Sequence, residues 1–127
     1  MGTWDLKPWG NDSAADYFGV FFERSGFRER AVEQLEMQLT EENHEKVRAA
    51  ASIILFLGRV YVWPVEFLDN DLKLAIERLT EMLELPIVKE DDEYQEVIRS
   101  ELELLRSRLD RSRAIDDGCR QYWNTLV

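Results

Sequence analysis

The chain of 127 residues is poor in the residue types that build cross-links and metal centres. It contains one cysteine, Cys119, and one histidine, His44. A single cysteine excludes an internal disulfide, and a single histidine excludes histidine-rich metal sites and any catalytic triad that does not use His44. The glycines are scattered, and no spacing between them resembles a phosphate-binding loop. We therefore expect a protein without cofactor or metal, and not an enzyme.

Long apolar runs are also missing from the chain. The most apolar segment covers residues 49–57 and then meets Gly58 and Arg59. It is too short to span a bilayer, which requires about 20 apolar residues. The amino terminus has neither the basic start nor the apolar stretch of a secretory signal. Together with the lone cysteine, these absences predict a cytoplasmic protein that does not enter membranes.

Positive charge is in short supply. Lys and Arg number 16 against 26 Asp and Glu, so the net charge is -10. A negative surface repels nucleic acid and anionic lipid, and we expect neither as a partner. The acidic excess has two interpretations: ordinary solvated helix faces, or an acidic face that steers a basic partner protein.

Helical periodicity dominates the remaining sequence. Apolar residues recur at spacings of three and four, and strict alternation typical of a half-buried strand is missing. A first helix is predicted over residues 13–25, and Pro64 and Pro86 end later ones. The sequence predicts one all-α domain over residues 1–127, a bundle of about five helices with an extended arm over residues 1–10. The four later apolar segments are residues 31–39, 47–61, 72–83 and 94–109.

The start of the fourth helix is marked by polar residues. Asp69, Asn70 and Asp71 directly precede the apolar residue Leu72. Because Asp and Asn are preferred N-caps, we expect this segment to cap the helix.

The four tryptophans lie outside the main apolar segments. Trp4 and Trp9 fall in the arm, Trp63 in a turn and Trp123 near the carboxyl terminus. They either fill the ends of the bundle, since each buries a large area, or anchor a partner, since Trp is enriched at binding hot spots.

The amino-terminal segment carries a specific motif. Residues 1–17 contain Met-Gly-x-Trp, then Pro-Trp-x-Asn-Asp-x-Ala-x-Asp-Tyr. This motif resembles an uncharacterised family of small bacterial proteins, domain of unknown function 4259, whose members begin Met-Gly-x-Trp-Gly-x-Gly-Pro-Phe, followed by an acid and Asn-Asp-x-Ala-x-Asp-Trp. The Asn-Asp-x-Ala-x-Asp core is intact, whereas residues 5–7 replace the family's Gly-x-Gly. The resemblance implies a bacterial protein and brings no established activity.

The motif supplies the candidate site residues. In a structural interpretation, Trp4 and Trp9 hold the arm against the bundle, and Asn11 or Asp12 caps the first helix. In a functional one, Asp12 and Asp16 share a helix face, four residues apart, and form a polar site beside Trp4. The candidates are Trp4, Trp9, Asn11, Asp12, Asp16 and Tyr17.

These observations favour a non-catalytic protein-binding module. Its most concrete form is an immunity or antitoxin-like protein that masks a basic effector. Two alternatives stay open. One is a small ligand-binding protein or enzyme that uses Asp12 and Asp16. The other is a homo-oligomer, most simply a homodimer, that associates through the apolar stripe from Tyr94 to Leu109.

Overall fold

A computed structural model describes residues 8–116, and the side chains of residues 8–112. Every regular element in this part is a helix, which confirms the all-α prediction. The sequence did not predict α5, a single helical turn that begins at Pro86. This turn is too short to show the helical spacing of apolar residues. The helices are α1 (Asp12–Ser25), α2 (Phe27–Glu36), α3 (His44–Leu57), α4 (Val65–Met82), α5 (Pro86–Lys89) and α6 (Asp92–Asp116).

The core forms around α3 and α4. Helix α3 packs against α2, α4 and α6, and α4 packs against α2, α3 and α6. Each contributes buried residues at helical spacing, as in the row Leu68, Leu72, Ala75 and Leu79 of α4. The outer side of α3 reaches solvent at Phe56, so this helix is not covered on all sides.

The prediction that Asp69, Asn70 and Asp71 cap the fourth helix was wrong. Helix α4 begins four residues earlier, at Val65, and Pro64 occupies its N-cap position. Proline is compatible with this helix entry because its φ is fixed near -65° and it has no N–H that would need a partner. Leu68 is also buried, which extends the apolar row backwards by one turn and places Asp71 inside the bundle.

Helix α3 ends at a position that only glycine fits. The N–H of Gly58 donates to the carbonyl of Ile54, and a Cβ on Gly58 would overlap that same backbone oxygen. The following loop includes Tyr61 at a φ of 70°. A left-handed backbone costs a non-glycine residue about 1–2 kcal/mol. The packing around the loop therefore holds a conformation that the local sequence disfavours.

The apolar stripe of α6 is used within the monomer. Ile98, Leu102, Leu105 and Leu109 are all buried in the core. The stripe proposed for self-association is therefore covered by the chain's own helices. Among the described helices, none has the length and apolar character needed to cross a membrane.

Candidate functional site

The residues of the amino-terminal motif have separate roles. Trp4, like the rest of residues 1–7 of the predicted arm, lies outside the described residues. Asn11 adopts an extended backbone, and its Oδ1 accepts a hydrogen bond from the N–H of Ala14 at 2.8 Å. Asn11 is thus the N-cap of α1, while Asp12 is the first residue of the helix.

Trp9 joins the entry of α1 to the loop that follows α3. Its half-buried ring packs against the core cluster. The guanidinium carbon of Arg59 lies 4.4 Å from the ring centroid, a cation–π contact. Trp9 therefore connects the amino-terminal segment to the bundle, as the structural interpretation expected.

Asp12 and Asp16 do not meet at a pocket. Both side chains are exposed, and neither receives a hydrogen bond from another described residue. They follow the outer surface of α1 beside Tyr17. The structure thus gives these carboxylates the geometry of a solvated charged surface.

Helix α1 presents an apolar surface to solvent. Tyr17 is 66% exposed, Val20 51% and Phe21 38%. Their spacing of three and four places them side by side on one helix face. The rings of Tyr17 and Phe21 stack with centroids 6.4 Å apart. We call Tyr17, Val20 and Phe21 the α1 face.

The opposite side of α1 attaches the helix to the bundle. Phe22 is 2% exposed and is the buried residue of α1. Its ring lies 5.0 Å from that of Trp63 and 5.7 Å from that of Phe27. Helix α1 therefore exposes the α1 face on one side, while its other side packs on the bundle through the deeply buried Phe22.

A buried charged group supports this attachment. The indole N–H of Trp63 donates to Oδ2 of Asp71 at 2.8 Å. Arg28 donates to the same carboxylate twice, from Nε to Oδ2 at 2.6 Å and from Nη2 to Oδ1 at 3.0 Å. The hydrogen bond to Asp71 raises the pKa of Arg28, although burial acts in the opposite direction. Trp63 is thus a core residue, which decides between its two predicted roles in favour of packing.

The lone histidine also has a structural contact. Nδ1 of His44 donates to the backbone oxygen of Glu41 at 2.6 Å, at the start of α3. His44 is buried, and its ring lies 6.2 Å from that of Tyr94. Within the described residues, no group of three or more His, Cys, Asp or Glu side chains is placed to hold a metal ion.

The sequence predictions missed two members of the α1 face. The apolar residues predicted for the first helix are Tyr17, Phe18, Phe21 and Phe22, without a division into buried and exposed sides, and Val20 is not among them. The signal was present, because apolar residues on several sides of a short helix exceed what a single packing contact covers. The sequence of α1 alone does not show which of its sides faces solvent, because the packing of the neighbouring helices decides this.

No family model, no curated protein and no solved structure matches this chain. The resemblance of the amino-terminal motif to domain of unknown function 4259 therefore stays a prediction from sequence.

Proposed function

We propose that this protein is a non-catalytic protein-binding module that holds a basic partner protein on its α1 face. The observation that carries the proposal is the exposure of three adjacent large apolar side chains, led by Tyr17 at 66%. Scattered exposed apolar residues are ordinary, but contiguous ones mark interaction surfaces. Tyrosine is also among the residues that contribute most to binding energy at protein interfaces.

The rings of the α1 face are ordered by their neighbours. Phe21 contacts Phe22 edge-on, with centroids 5.4 Å apart, and Phe22 lies on Trp63. Tyr17 stacks on Phe21, so the outermost ring is connected through aromatic contacts to the core. Side chains that are already ordered lose less conformational entropy when a partner binds. This favours a rigid docking surface.

Charge supports a basic partner. The exposed carboxylates of Asp12, Asp16 and Glu23 on α1 outnumber its one exposed cation, Arg24, and the whole chain carries a net charge of -10. Complementary charge accelerates association and orients the partner. An apolar groove of about 380 Å³ between α2 and α3 is bordered instead by Arg30 and Lys46, which makes it less suited to a basic protein. We therefore assign the basic partner to α1.

In its most concrete form, the proposal is a cytoplasmic immunity or antitoxin-like protein that covers a basic effector such as a nuclease. An acidic binder of this kind acts by occluding a cationic surface, and it requires no catalytic group of its own. This form predicts that the partner's own activity is suppressed in the complex and returns when the complex is weakened.

The first test is a pull-down from a lysate of the source organism at low and high salt. Tyr17→Ala removes the most exposed ring of the α1 face. Phe56→Ala is the matched control, because it removes a ring that is 70% exposed on α3. We expect a basic protein to be captured by the wild type and by Phe56→Ala, and to be lost with Tyr17→Ala. With the purified pair, Tyr17→Ala should weaken the Kd about 30-fold, the change that corresponds to about 2 kcal/mol at a hot spot.

A second set of variants tests the charge. The double variant Asp12→Asn/Asp16→Asn should slow association at low salt, whereas Glu93→Gln/Glu103→Gln, which removes the same charge from α6, should have a smaller effect. High salt should weaken the wild-type complex. An acidic partner, an affinity insensitive to salt, or equal capture by the Tyr17→Ala variant contradicts the proposal.

A further inference from the structure

A groove of about 380 Å³ lies between α2 and α3, on helices other than the one that carries the α1 face. We call it the α2–α3 groove. Three alanines line it, Ala31 of α2 and Ala49 and Ala50 of α3. Because each side chain ends at a methyl group, the two helices meet without filling the space between them. Phe27 and Ile53 supply the larger apolar surfaces of the groove. Its volume falls within the range of small-molecule sites, about 300–1,000 Å³.

The charged side chains of α2 and α3 are sorted around this groove. Both charged residues that line it are cations, Arg30 of α2 and Lys46 of α3. The acidic residues of the two helices are all absent from the lining; they are Glu29, Glu33, Glu36 and Glu45. In a chain with 26 acidic and 16 basic residues, the α2–α3 groove is therefore a locally positive site.

The two cations of the groove are available to a ligand. Arg30 and Lys46 are exposed, and neither forms an ion pair with another described residue. Arg28 and Arg48, the other cations of these helices, each pair with a carboxylate of a different helix. Small-molecule sites combine a mostly apolar lining with a few polar groups that orient the ligand. Two cations on the border of one apolar groove fit an anion with an apolar body.

The two ends of the groove differ in polarity. Consecutive helices joined by a short loop run in opposite directions, and residues 37–43 join α2 to α3. Phe27 therefore lies at the same end of the groove as Ile53, whereas Gln34 lies at the same end as Lys46. One end is apolar, and the other carries an amide and an ammonium group. A ligand with a charged head and an apolar chain matches this arrangement in one direction.

We propose that the α2–α3 groove binds a small monocarboxylic acid with an apolar chain. The carboxylate contacts Lys46 and Arg30, and the chain lies over the alanines toward Phe27 and Ile53. The net charge of -10 opposes anions in proportion to their charge, which favours a single carboxylate over a phosphate or a polyanion. This site is independent of the α1 face and of any partner that binds there.

The first test is a calorimetric titration of the full chain at low ionic strength with octanoate, octanol and octylamine, each below its micelle-forming concentration. The three probes share a chain length and differ in the charge of the head group. We expect saturable binding of octanoate, weaker binding of octanol and none of octylamine. Hexanoate should bind more weakly than octanoate by about two- to fourfold for each methylene removed, because the chain is buried against apolar side chains. Absence of saturable octanoate binding, or equal binding of octanol or octylamine, overturns the proposal.

Charge variants locate the head group. Lys46→Gln should weaken octanoate binding about fivefold, the upper end of what an exposed ion pair contributes. The double variant Arg30→Gln/Lys46→Gln should bind octanoate no more tightly than octanol. Arg106→Gln is the matched control, because it removes an exposed cation from α6, and it should change affinity less than about twofold. An equal loss with Arg106→Gln contradicts the assignment of the carboxylate to this groove.

A second pair of variants locates the apolar chain. Ala49→Leu places a larger side chain in the α2–α3 groove and should abolish octanoate binding. Ser52→Leu adds the same side chain to α3 at a position that does not line this groove, and it should leave binding unchanged. Octanoate should raise the Tm of the wild type and of Ser52→Leu, but not that of Ala49→Leu. An equal rise in Tm for Ala49→Leu would show that octanoate binds elsewhere.

NMR spectra and sedimentation identify the occupant. Backbone amide signals of residues 27–34 and 46–53 should shift during the octanoate titration, while those of α1 stay in place. Sedimentation equilibrium should show a monomer with and without octanoate. A dimer whose signals at residues 27–34 and 46–53 change on dilution would assign the groove to a second copy of the chain and overturn the proposal.

Discussion

Asp71 joins three parts of the chain through one buried carboxylate. It lies on α4, accepts two hydrogen bonds from Arg28 of α2, and accepts one from Trp63 in the loop before α4. The guanidinium carbon of Arg28 also lies 3.7 Å from the ring centroid of Phe67. Because Trp63 contacts Phe22 of α1, the carboxylate indirectly supports that helix as well.

Replacing Asp71 should be severely destabilising. We expect Asp71→Ala to lower the free energy of unfolding by about 3–5 kcal/mol. The mostly buried Arg28 would keep only its 3.9 Å contact with the exposed Glu29, and the buried indole N–H of Trp63 would lose its acceptor. Asp71→Asn keeps an acceptor for Trp63 and should cost less. Urea unfolding followed by circular dichroism measures both. The control Glu77→Gln removes an exposed carboxylate of α4 and should change stability by less than about 0.5 kcal/mol. A loss below about 1 kcal/mol for Asp71→Ala would contradict this role.

The residues that cap the helices were only partly predictable from the sequence. An N-cap at Asn11 or Asp12 follows from residue type and position, and the structure selects Asn11. The cap predicted at Asp69–Asp71 was wrong because the same residue types also fill helix interiors. A buried partner such as Arg28, 43 residues away from Asp71, leaves no local signal.

Among the helices of ten or more residues, α1 has the fewest buried residues. Phe22 is its buried residue, while the helices of the core each bury several. Helices with few buried contacts open at a lower free energy than the global unfolding of the domain. We therefore regard α1 as a docking helix on a more stable bundle.

Substitutions of Phe22 and Tyr17 should distinguish the attachment of α1 to the bundle from the binding of a partner to the α1 face. Phe22→Ala should destabilise the protein by about 3–5 kcal/mol, since it leaves a cavity against Trp63. Tyr17→Ala, on the exposed side, should change stability by less than about 1 kcal/mol. Amide hydrogen exchange should be faster in α1 than in α4, and Phe22→Ala should accelerate it further in α1. Equal protection of α1 and α4 in the wild type would show that α1 is not an independently opening helix.

For the molecule as a whole, the excess of acidic residues should make the stability of the fold depend on salt. With 26 acidic and 16 basic residues, the folded surface repels itself. Added salt shortens the Debye length and screens the repulsion between exposed charges that lie farther apart than this length, so salt should stabilise the fold. We expect the Tm to rise about 4 °C between about 10 mM and 0.5 M sodium chloride, which corresponds to about 1 kcal/mol.

Neutralising exposed carboxylates should reduce this salt effect. A variant with Glu33, Glu93 and Glu103 changed to Gln removes charge from surface positions of α2 and α6. Its Tm should depend less on sodium chloride than that of the wild type, while its far-ultraviolet circular dichroism stays unchanged. A wild-type Tm that falls with added salt would show that favourable ion pairs outweigh the net repulsion.

Local sequence patterns predicted the five longer helices and most of the core, but not the single turn of α5 or the start of α4. Apolar spacing of three and four is a local property, and it predicts both a helix and the face that is buried. Composition and charge likewise favoured an acidic helical protein. The rows of α3, α4 and α6 were therefore recognisable before their neighbours were known.

Which surfaces and charges come together depends on the packing of helices that are distant in the sequence. An apolar row shows that a face avoids water, but not which helix covers it; the α6 row is covered, whereas the α1 face is exposed. Arg28 and Asp71 are 43 positions apart in the sequence, and their ion pair depends on how α2 packs against α4. Long-range packing places these groups, and no local pattern encodes it.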